Sequence, residues 1–266
     1  MTRIPRVPAV LSQLRFVRDL AIPVGLREAL DARRAFELRG LEKTSLLDAR
    51  RAWISGLQLL PKDISLDDAL VVDVGANEGW FVTNVLNLAP SARVIAVEPT
   101  PEPLARLRER FGAAPNVTIV PKALTAQPGE VTMRIPRGSH TGSSLLRPRK
   151  SLDDIYGSDD WGVAAEVTVQ ADTLDAVVGG QDVTLLKIDV QGGEFGVLAG
   201  GARTLERTKA VIIEIVFHSH YEGDSPFPML NRRMEELGFE LHGVGDPNRA
   251  PDGTAMWGDA CYLRAG

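Results

Sequence analysis

The chain has 266 residues, 44% hydrophobic and 24% charged, a size at the upper end for one α/β domain and short for two full domains. Its net charge of -5 argues against a whole-protein nucleic-acid binder, although residues 1–60 hold eleven Lys/Arg against six Asp/Glu, a local +5 that leaves -10 for the remainder. A single cysteine, Cys261, excludes an intrachain disulfide and fits a reducing cytoplasm, and no apolar run approaches the ~20 residues of a membrane span.

Val10, Leu11, Leu14, Val17 and Leu20 fall at helical spacing over 9–21, and Pro23 ends the run. Gln13, Arg15, Arg18 and Asp19 interrupt the apolar stretch, so it is not read as a signal peptide. Further helices are expected over 25–39 and 45–58. Residues 1–62 are therefore read as an N-terminal helical cap, and 63–266 as the main domain. Apolar spacing with arginines between gives residues 1–60 two readings, a cover or homo-oligomer contact and a peripheral membrane contact. The expected location is cytoplasmic, at most peripheral to a membrane.

From residue 70 short β-rich runs alternate with helical stretches, the pattern of a parallel sheet with crossover helices. Strands are expected at 70–74, 94–98, 117–120, 183–189 and 210–216, with helices near 79–88 and 101–111. Residues 130–135 and 166–170 alternate like extra strands. A helix should begin near Asp172 as N-cap and carry Leu174 and Val177, and another should start near Gly192. A helix over 226–237 stops at Gly238, and strands near 239–244 and 256–264 close the chain. Between the 130–135 and 166–170 runs, residues 136–165 show little regular pattern and are read as a lid, since loops this long are usually functional or disordered.

The strongest chemical signal is Val72-Asp73-Val74-Gly75-Ala76-Asn77-Glu78-Gly79, at the end of the first strand. Gly75 and Gly79 let the backbone turn sharply and approach a ligand closely. The following helix offers unsatisfied N–H groups and a positive dipole end. The amino-acid carboxylate of S-adenosylmethionine suits that end, and Asp73 can receive its ammonium. A carboxylate before the first glycine is poorly placed beside a pyrophosphate, and Asn77 stands where a dinucleotide fingerprint needs its second glycine. Glu98 ends the second strand, 19 residues past Gly79, where an acid can accept ribose hydroxyls in either type of cofactor.

The chain from about Leu70 to Arg264 resembles the FkbM family of methyltransferases. The resemblance rests on ordered matches: Asp73 to Gly79, Glu98-Pro99, Ala123-Leu124, Gly142-Ser143-Ser144-Leu145, Val167-Thr168-Val169 with Thr173-Leu174-Asp175, Leu186 to Glu194, Ile213-Glu214-Ile215 with Tyr221-Glu222-Gly223, and Leu237-Gly238-Phe239. Gln191 stands where glutamate is also common, and Gly193 where a bulkier residue or alanine is frequent. The resemblance implies a class I methyltransferase (Rossmann-like) fold, with a mostly parallel seven-stranded sheet and helices on both faces. It also implies S-adenosyl-L-methionine as cofactor. Asp73, Gly75, Ala76, Asn77 and Gly79 would hold the methionine part and Glu98 the ribose. Pro99 and Thr100 would line the adenine edge, with Ala123 near the ring. Ser143 and Ser144 would close over the cofactor.

Asp189 ends the fourth core strand, where open α/β sheets present their ligands. It is read as a catalytic base or cofactor contact, or as the cap of the helix that follows. Lys187 lies two residues earlier on the same face and is placed to pair with it. Glu214, in an otherwise apolar strand, needs a pocket or an internal partner. His218, His220 and His140 are further candidates for taking a proton from a hydroxyl, His218 foremost because it follows the fifth strand. No metal is expected. Trp80, Trp161, Tyr221 and Trp257 are candidates for stacking faces against a sugar, with a place in the core the equal reading for Trp80 and Trp257.

The family resemblance points to O-methylation of a hydroxyl on a sugar, glycan, glycolipid or polyketide-type product. Two rival readings remain open at this stage. One is an NAD-dependent sugar-modifying enzyme. The other is a non-catalytic protein of methyltransferase fold that docks a membrane or partner.

Overall fold

A computed structural model describes residues 56–138, 142–156 and 161–266. The helices expected over 9–21, 25–39 and 45–58 lie outside the described residues, apart from the last few positions of the third. His140 and parts of the 136–165 segment also lie outside them.

The main sheet has strands β1 (Leu70–Val74), β2 (Arg93–Val97), β3 (Val117–Val120), β7 (Val183–Ile188), β8 (Thr208–Val216), β9 (Phe239–Val244), β10 (Asn248–Arg249) and β11 (Ala255–Arg264). Strands β3, β2, β1, β7 and β8 run parallel in that spatial order. β11 then joins antiparallel to β8, and both β9 and β10 pair with β11. The seven expected strands are all present, and the two-residue β10 is an addition. β4 (Ala123–Leu124), β5 (Gly129–Pro136) and β6 (Val163–Asp172) form a separate three-stranded sheet.

All five residues of β1 are buried, because helices cover both faces of the parallel sheet. Val72, Val74, Leu186, Ile188, Ile213 and Ile215 face one core. That core is closed by α4 (Leu174–Val178), α5 (Glu194–Ala199), α6 (Ala202–Glu206) and α7 (Phe227–Glu236). Val71, Val94, Ala96, Leu185, Ile212 and Cys261 face the other core, under α1 (Trp80–Leu88) and α2 (Pro101–Phe111). Leu57 and Leu60 are buried in this second core, so residues on the cap side of the expected 62/63 boundary pack with the sheet.

Helix ends follow local chemistry. α2 has Pro101 at its first position, Glu102 in its first turn and Arg108 and Arg110 in its last, all favourable to the helix dipole. α4 is capped by Thr173, whose hydroxyl accepts the Ala176 N–H at 3.2 Å, and not by the expected Asp172. Asp172 instead accepts the Thr173 N–H at 2.8 Å and the Lys122 ammonium at 2.7 Å. The helix expected from Gly192 starts at Glu194 and is broken into α5 and α6 at Gly200-Gly201, where a Cβ on Gly200 would lie 2.2 Å from the Thr125 carbonyl oxygen.

The described residues of the 136–165 segment carry more regular structure than their sequence suggests. Its ends belong to the β5–β6 antiparallel pair, and α3 (Ser151–Tyr156) lies within it. Ser144 exchanges two backbone hydrogen bonds with Arg134. The Arg149 N–H donates to the His220 carbonyl, and the Glu222 N–H to the Arg147 carbonyl, each at 2.8 Å. Residues 144–149 are thus strapped between the small sheet and the loop after β8.

Candidate active site

The C-terminal ends of the parallel strands carry the acids that the sequence singled out. Side chains alternate along a strand, so Asp73 shares its face with Val71, Lys187 with Leu185, Glu214 with Ile212 and Asp259 with Cys261. Asp73 pairs in register with Lys187, and Asp259 with Glu214. The apolar face under α1 therefore turns polar as it nears the strand ends.

The glycine-rich turn is fastened to the end of β2. Gly75 and Ala76 both donate to the Val97 carbonyl, at 3.0 and 2.9 Å. Asn77, at φ 50°, donates its N–H to Glu98 Oε2 at 2.9 Å, and the Thr100 N–H reaches Glu98 Oε1 at 2.7 Å. The Glu78 N–H bonds Asn77 Oδ1 at 2.7 Å, and the Gly79 N–H bonds the Ala76 carbonyl at 2.8 Å. The amides of residues 75–79 are thus satisfied within the protein. Glu98 shapes the turn, and the Thr100 hydroxyl bonds its carboxylate as well. Burial raises its pKa, against the lowering effect of the Thr100 and Asn77 N–H groups.

The two glycines serve packing against the protein itself. A Cβ on Gly75 would lie 1.8 Å from the Asp189 carbonyl oxygen, and one on Gly79 would lie 2.5 Å from Phe111 Cε2. Both residues have positive φ, 83° and 82°. The close approach expected toward a ligand is therefore, at these two Cβ positions, an approach to β7 and α2.

Asp73 is 0% exposed, and neither of its carboxylate oxygens has a hydrogen-bond partner. Lys187 Nζ stands 3.9 Å from Oδ1, an ion pair too long for a hydrogen bond. Burial pushes the Asp73 pKa up to about 6, opposed by Lys187 and assisted by Asp189 and Glu98. A buried, unmatched carboxylate is costly until a donor completes it. The ammonium of a bound amino-acid moiety fits that need.

Asp189 is the open member of the set, with 32% of its side chain exposed. Lys187 Nζ donates to Oδ2 at 3.1 Å, and Gln191 Nε2 donates to Oδ1 at 2.8 Å. The pairing with Lys187 is the one expected from spacing. Burial alone would lower the Lys187 pKa, but the carboxylates of Asp189, Asp73 and Asp259 raise it. Glu194, the first residue of α5, braces the preceding turn, accepting the Gly192 N–H at 3.1 Å and the Val190 N–H at 3.4 Å, while burial lifts its pKa to about 7. Asp259 is likewise pushed to about 7 by burial. Glu214 finds its partner in an amide: Gln191 Nε2 lies 3.1 and 3.0 Å from its two oxygens. Burial, with Asp189, Glu194 and Asp259 nearby, holds Glu214 well above the ordinary carboxylate range.

The remaining expected residues fall in two places. Ser144 Oγ donates to the Gln191 carbonyl at 2.6 Å and accepts the Leu146 N–H at 2.9 Å, which binds the strap to the site. Ser143 Oγ is buried without a hydrogen-bond partner. Ala123 is buried in β4, Thr100 is buried at the head of α2, and Pro99 is half-buried before it. His218 is exposed, and it is not among the side-chain partners of Asp189. His220 is buried instead, with Nδ1 2.7 Å from the His218 carbonyl and its ring 6.0 Å from that of Trp161. Tyr221 is buried too, so it presents no open stacking face. Its hydroxyl lies 3.0 Å from both the Gly142 carbonyl and Gln191 Oε1.

Sequence reasoning gave Gln191 no role beyond its place in a motif. Among the described residues, no group of His, Cys, Asp and Glu is arranged to hold a metal. No helix among them is long and apolar enough to cross a membrane.

The model of the FkbM methyltransferase domain matches residues 73–241. The chain is 28% identical over 209 residues to the 2-O-methyltransferase NoeI of Sinorhizobium fredii, covering 76% of this chain and 83% of that protein. It is also 28% identical over 162 residues to the hexuronic acid methyltransferase AglP of Haloferax volcanii, covering 60% of each. Its fold is similar to that of the FkbM methyltransferase from Methylobacillus flagellatus, with a TM-score of 0.51 at 16% identity, covering 75% of this chain and 44% of that one.

Proposed function

This chain belongs to the FkbM methyltransferase family, and from that premise we propose that it methylates a hydroxyl oxygen of a sugar, a glycan or a related natural product, with Asp189 as the base. The methyl donor is S-adenosylmethionine, which supplies a methyl group activated by a sulfonium leaving group. The name of NoeI, a 2-O-methyltransferase, supports an oxygen acceptor, and that of AglP, a hexuronic acid methyltransferase, supports a sugar.

Asp73 and the Gly75–Gly79 turn hold the amino-acid end of the donor, and Glu98 holds the ribose. A protonated hydroxyl is a poor nucleophile, so a carboxylate that takes its proton during transfer lowers the barrier. Asp189 carries this reading. It is partly exposed at the strand ends, and each of its oxygens is held by one donor, which leaves a lone pair on each for an acceptor. His218, the foremost histidine candidate, is exposed and is not among the hydrogen-bond partners of Asp189, so Asp189 is the base of choice.

The test is methyl transfer from labelled donor to methyl glycosides of hexuronic acids and neutral hexoses and to hydroxylated polyketides. Labelled ether product that disappears in Asp189→Asn supports the reading. Transfer only to amines or carboxylates, or full activity in Asp189→Asn, would contradict it.

A further inference from the structure

One amide nitrogen in this site faces three carboxylate oxygens. Gln191 Nε2 lies 2.8 Å from Asp189 Oδ1 and 3.1 and 3.0 Å from the two oxygens of Glu214. Asp189 Oδ1, whose carboxylate is paired with Lys187 and so accepts, places the nitrogen end of the amide there. Gln191 Oε1 then faces the Tyr221 hydroxyl at 3.0 Å, which shares its single proton with the Gly142 carbonyl at 3.0 Å. We propose that Gln191 is a positioning residue, whose amide, set by the Tyr221 hydroxyl, holds the Asp189 carboxylate in the orientation that accepts the substrate proton. This rests on the reading of Asp189 as the base.

The backbone supports the assignment. Gln191 has φ 56°, a left-handed conformation uncommon for a residue with a side chain. Such strain is retained where the surrounding structure holds it, often at functional sites. Here the Ser144 hydroxyl bonds the Gln191 carbonyl at 2.6 Å, and Tyr221 meets both Gln191 and the Gly142 carbonyl. The same residue therefore touches the 142–146 strap, Glu214 and Asp189.

Without the Gln191 N–H, Asp189 is anchored through Oδ2 alone and its carboxylate is free to turn. The titratable groups that face it are Lys187 beside it on β7, Asp73 from β1, Glu98 from β2, Glu214 from β8, Glu194 from α5 and Asp259 from β11, with the Tyr221 hydroxyl beyond Gln191. One cation stands among five acidic side chains. A neutral amide donor holds the Asp189 carboxylate among them without adding charge.

The test is initial-rate kinetics of the full-length protein with whichever methyl glycoside the wild type accepts, separating kcat from KM, beside titration with S-adenosylhomocysteine. Gln191→Leu and Tyr221→Phe are compared with wild type, and Gln191→Leu is also made in the Asp189→Asn background. The account expects kcat to fall about tenfold in Gln191→Leu and to move in the same direction in Tyr221→Phe, with acceptor KM and S-adenosylhomocysteine affinity kept within about threefold. Added to Asp189→Asn, Gln191→Leu should cost nothing further. Wild-type kcat in both folded variants, or an undiminished effect of Gln191→Leu in the Asp189→Asn background, would overturn the inference. Should Gln191→Leu not fold, Tyr221→Phe decides alone, since it removes a single oxygen. Wild-type turnover in Asp189→Asn would instead remove the reading of Asp189 as the base.

Discussion

The carbonyl oxygen of Asp189 occupies the space where a side chain at Gly75 would begin: a Cβ there would sit 1.8 Å from it. Two strand ends, β1 and β7, are thereby brought together closely enough to place Asp73 and Asp189 around one lysine, 3.9 and 3.1 Å from Lys187 Nζ. Gly75→Ala must move one of these strand ends and must also hold φ 83° with a side chain. It should cost more than about 2 kcal/mol of stability and lose cofactor binding. Urea unfolding and S-adenosylhomocysteine titration of the same preparation check both.

The buried acids give the unliganded protein a distinctive pH response. Asp73 is raised to about 6, and Glu194 and Asp259 to about 7. A carboxyl whose folded pKa exceeds its unfolded value binds more protons when folded, so its favourable contribution is full below pH ~4 and lost as pH rises through the folded value. Both proteins keep Glu194 and Asp259, so unliganded wild type should lose Tm relative to Asp73→Asn between about pH 4 and 7, the window set by Asp73 alone. A bound ammonium favours ionised Asp73, so stabilisation by S-adenosylhomocysteine should grow over the same window. Thermal scans at several pH values, with and without ligand, read both trends.

Glu98 accepts two backbone N–H groups, from Asn77 and Thr100, besides its proposed contact to ribose. Glu98→Ala leaves two buried donors unmatched and should destabilise the protein by about 2–4 kcal/mol. Glu98→Gln keeps one acceptor and should cost less. A larger loss of S-adenosylhomocysteine affinity in Glu98→Ala than in Glu98→Gln would tie the shape of the turn to binding.

The two candidate bases separate by kinetics. Asp189→Asn should lower kcat by about 10²–10⁴. His218→Ala, at an exposed position, should leave kcat within about twofold. Initial rates at saturating donor and acceptor distinguish them, and a comparable loss in His218→Ala would return the proton to the histidine.

Much of this architecture was legible because parallel strands buried on both faces read as apolar runs, and the acids that end them stand out. Asp73, Glu98 and Asp189 were found that way, and the pairing of Lys187 with Asp189 followed from a period of two. Gln191 was not legible, because its role depends on Tyr221, 30 residues away, and on Glu214, 23 residues away. Polar contacts between such distant positions leave no periodicity. The α4 cap was misplaced by one residue because Asp172 and Thr173 are both good capping types, and the Lys122 ion pair draws Asp172 aside. The break between α5 and α6 at Gly200-Gly201 is set by the Thr125 carbonyl, a contact with a distant loop. The glycine turn was found, but the reason for its first glycine lies at Asp189, more than a hundred residues along the chain.

The most direct test of the account is calorimetric titration of wild type and Asp73→Ala with S-adenosylhomocysteine, with NAD as comparator. The account predicts clear binding by the wild type, a loss of at least about tenfold in Asp73→Ala, and no heat with NAD. Equal affinity in a folded Asp73→Ala, or no binding by folded wild type, would contradict the placement of the cofactor at this buried carboxylate.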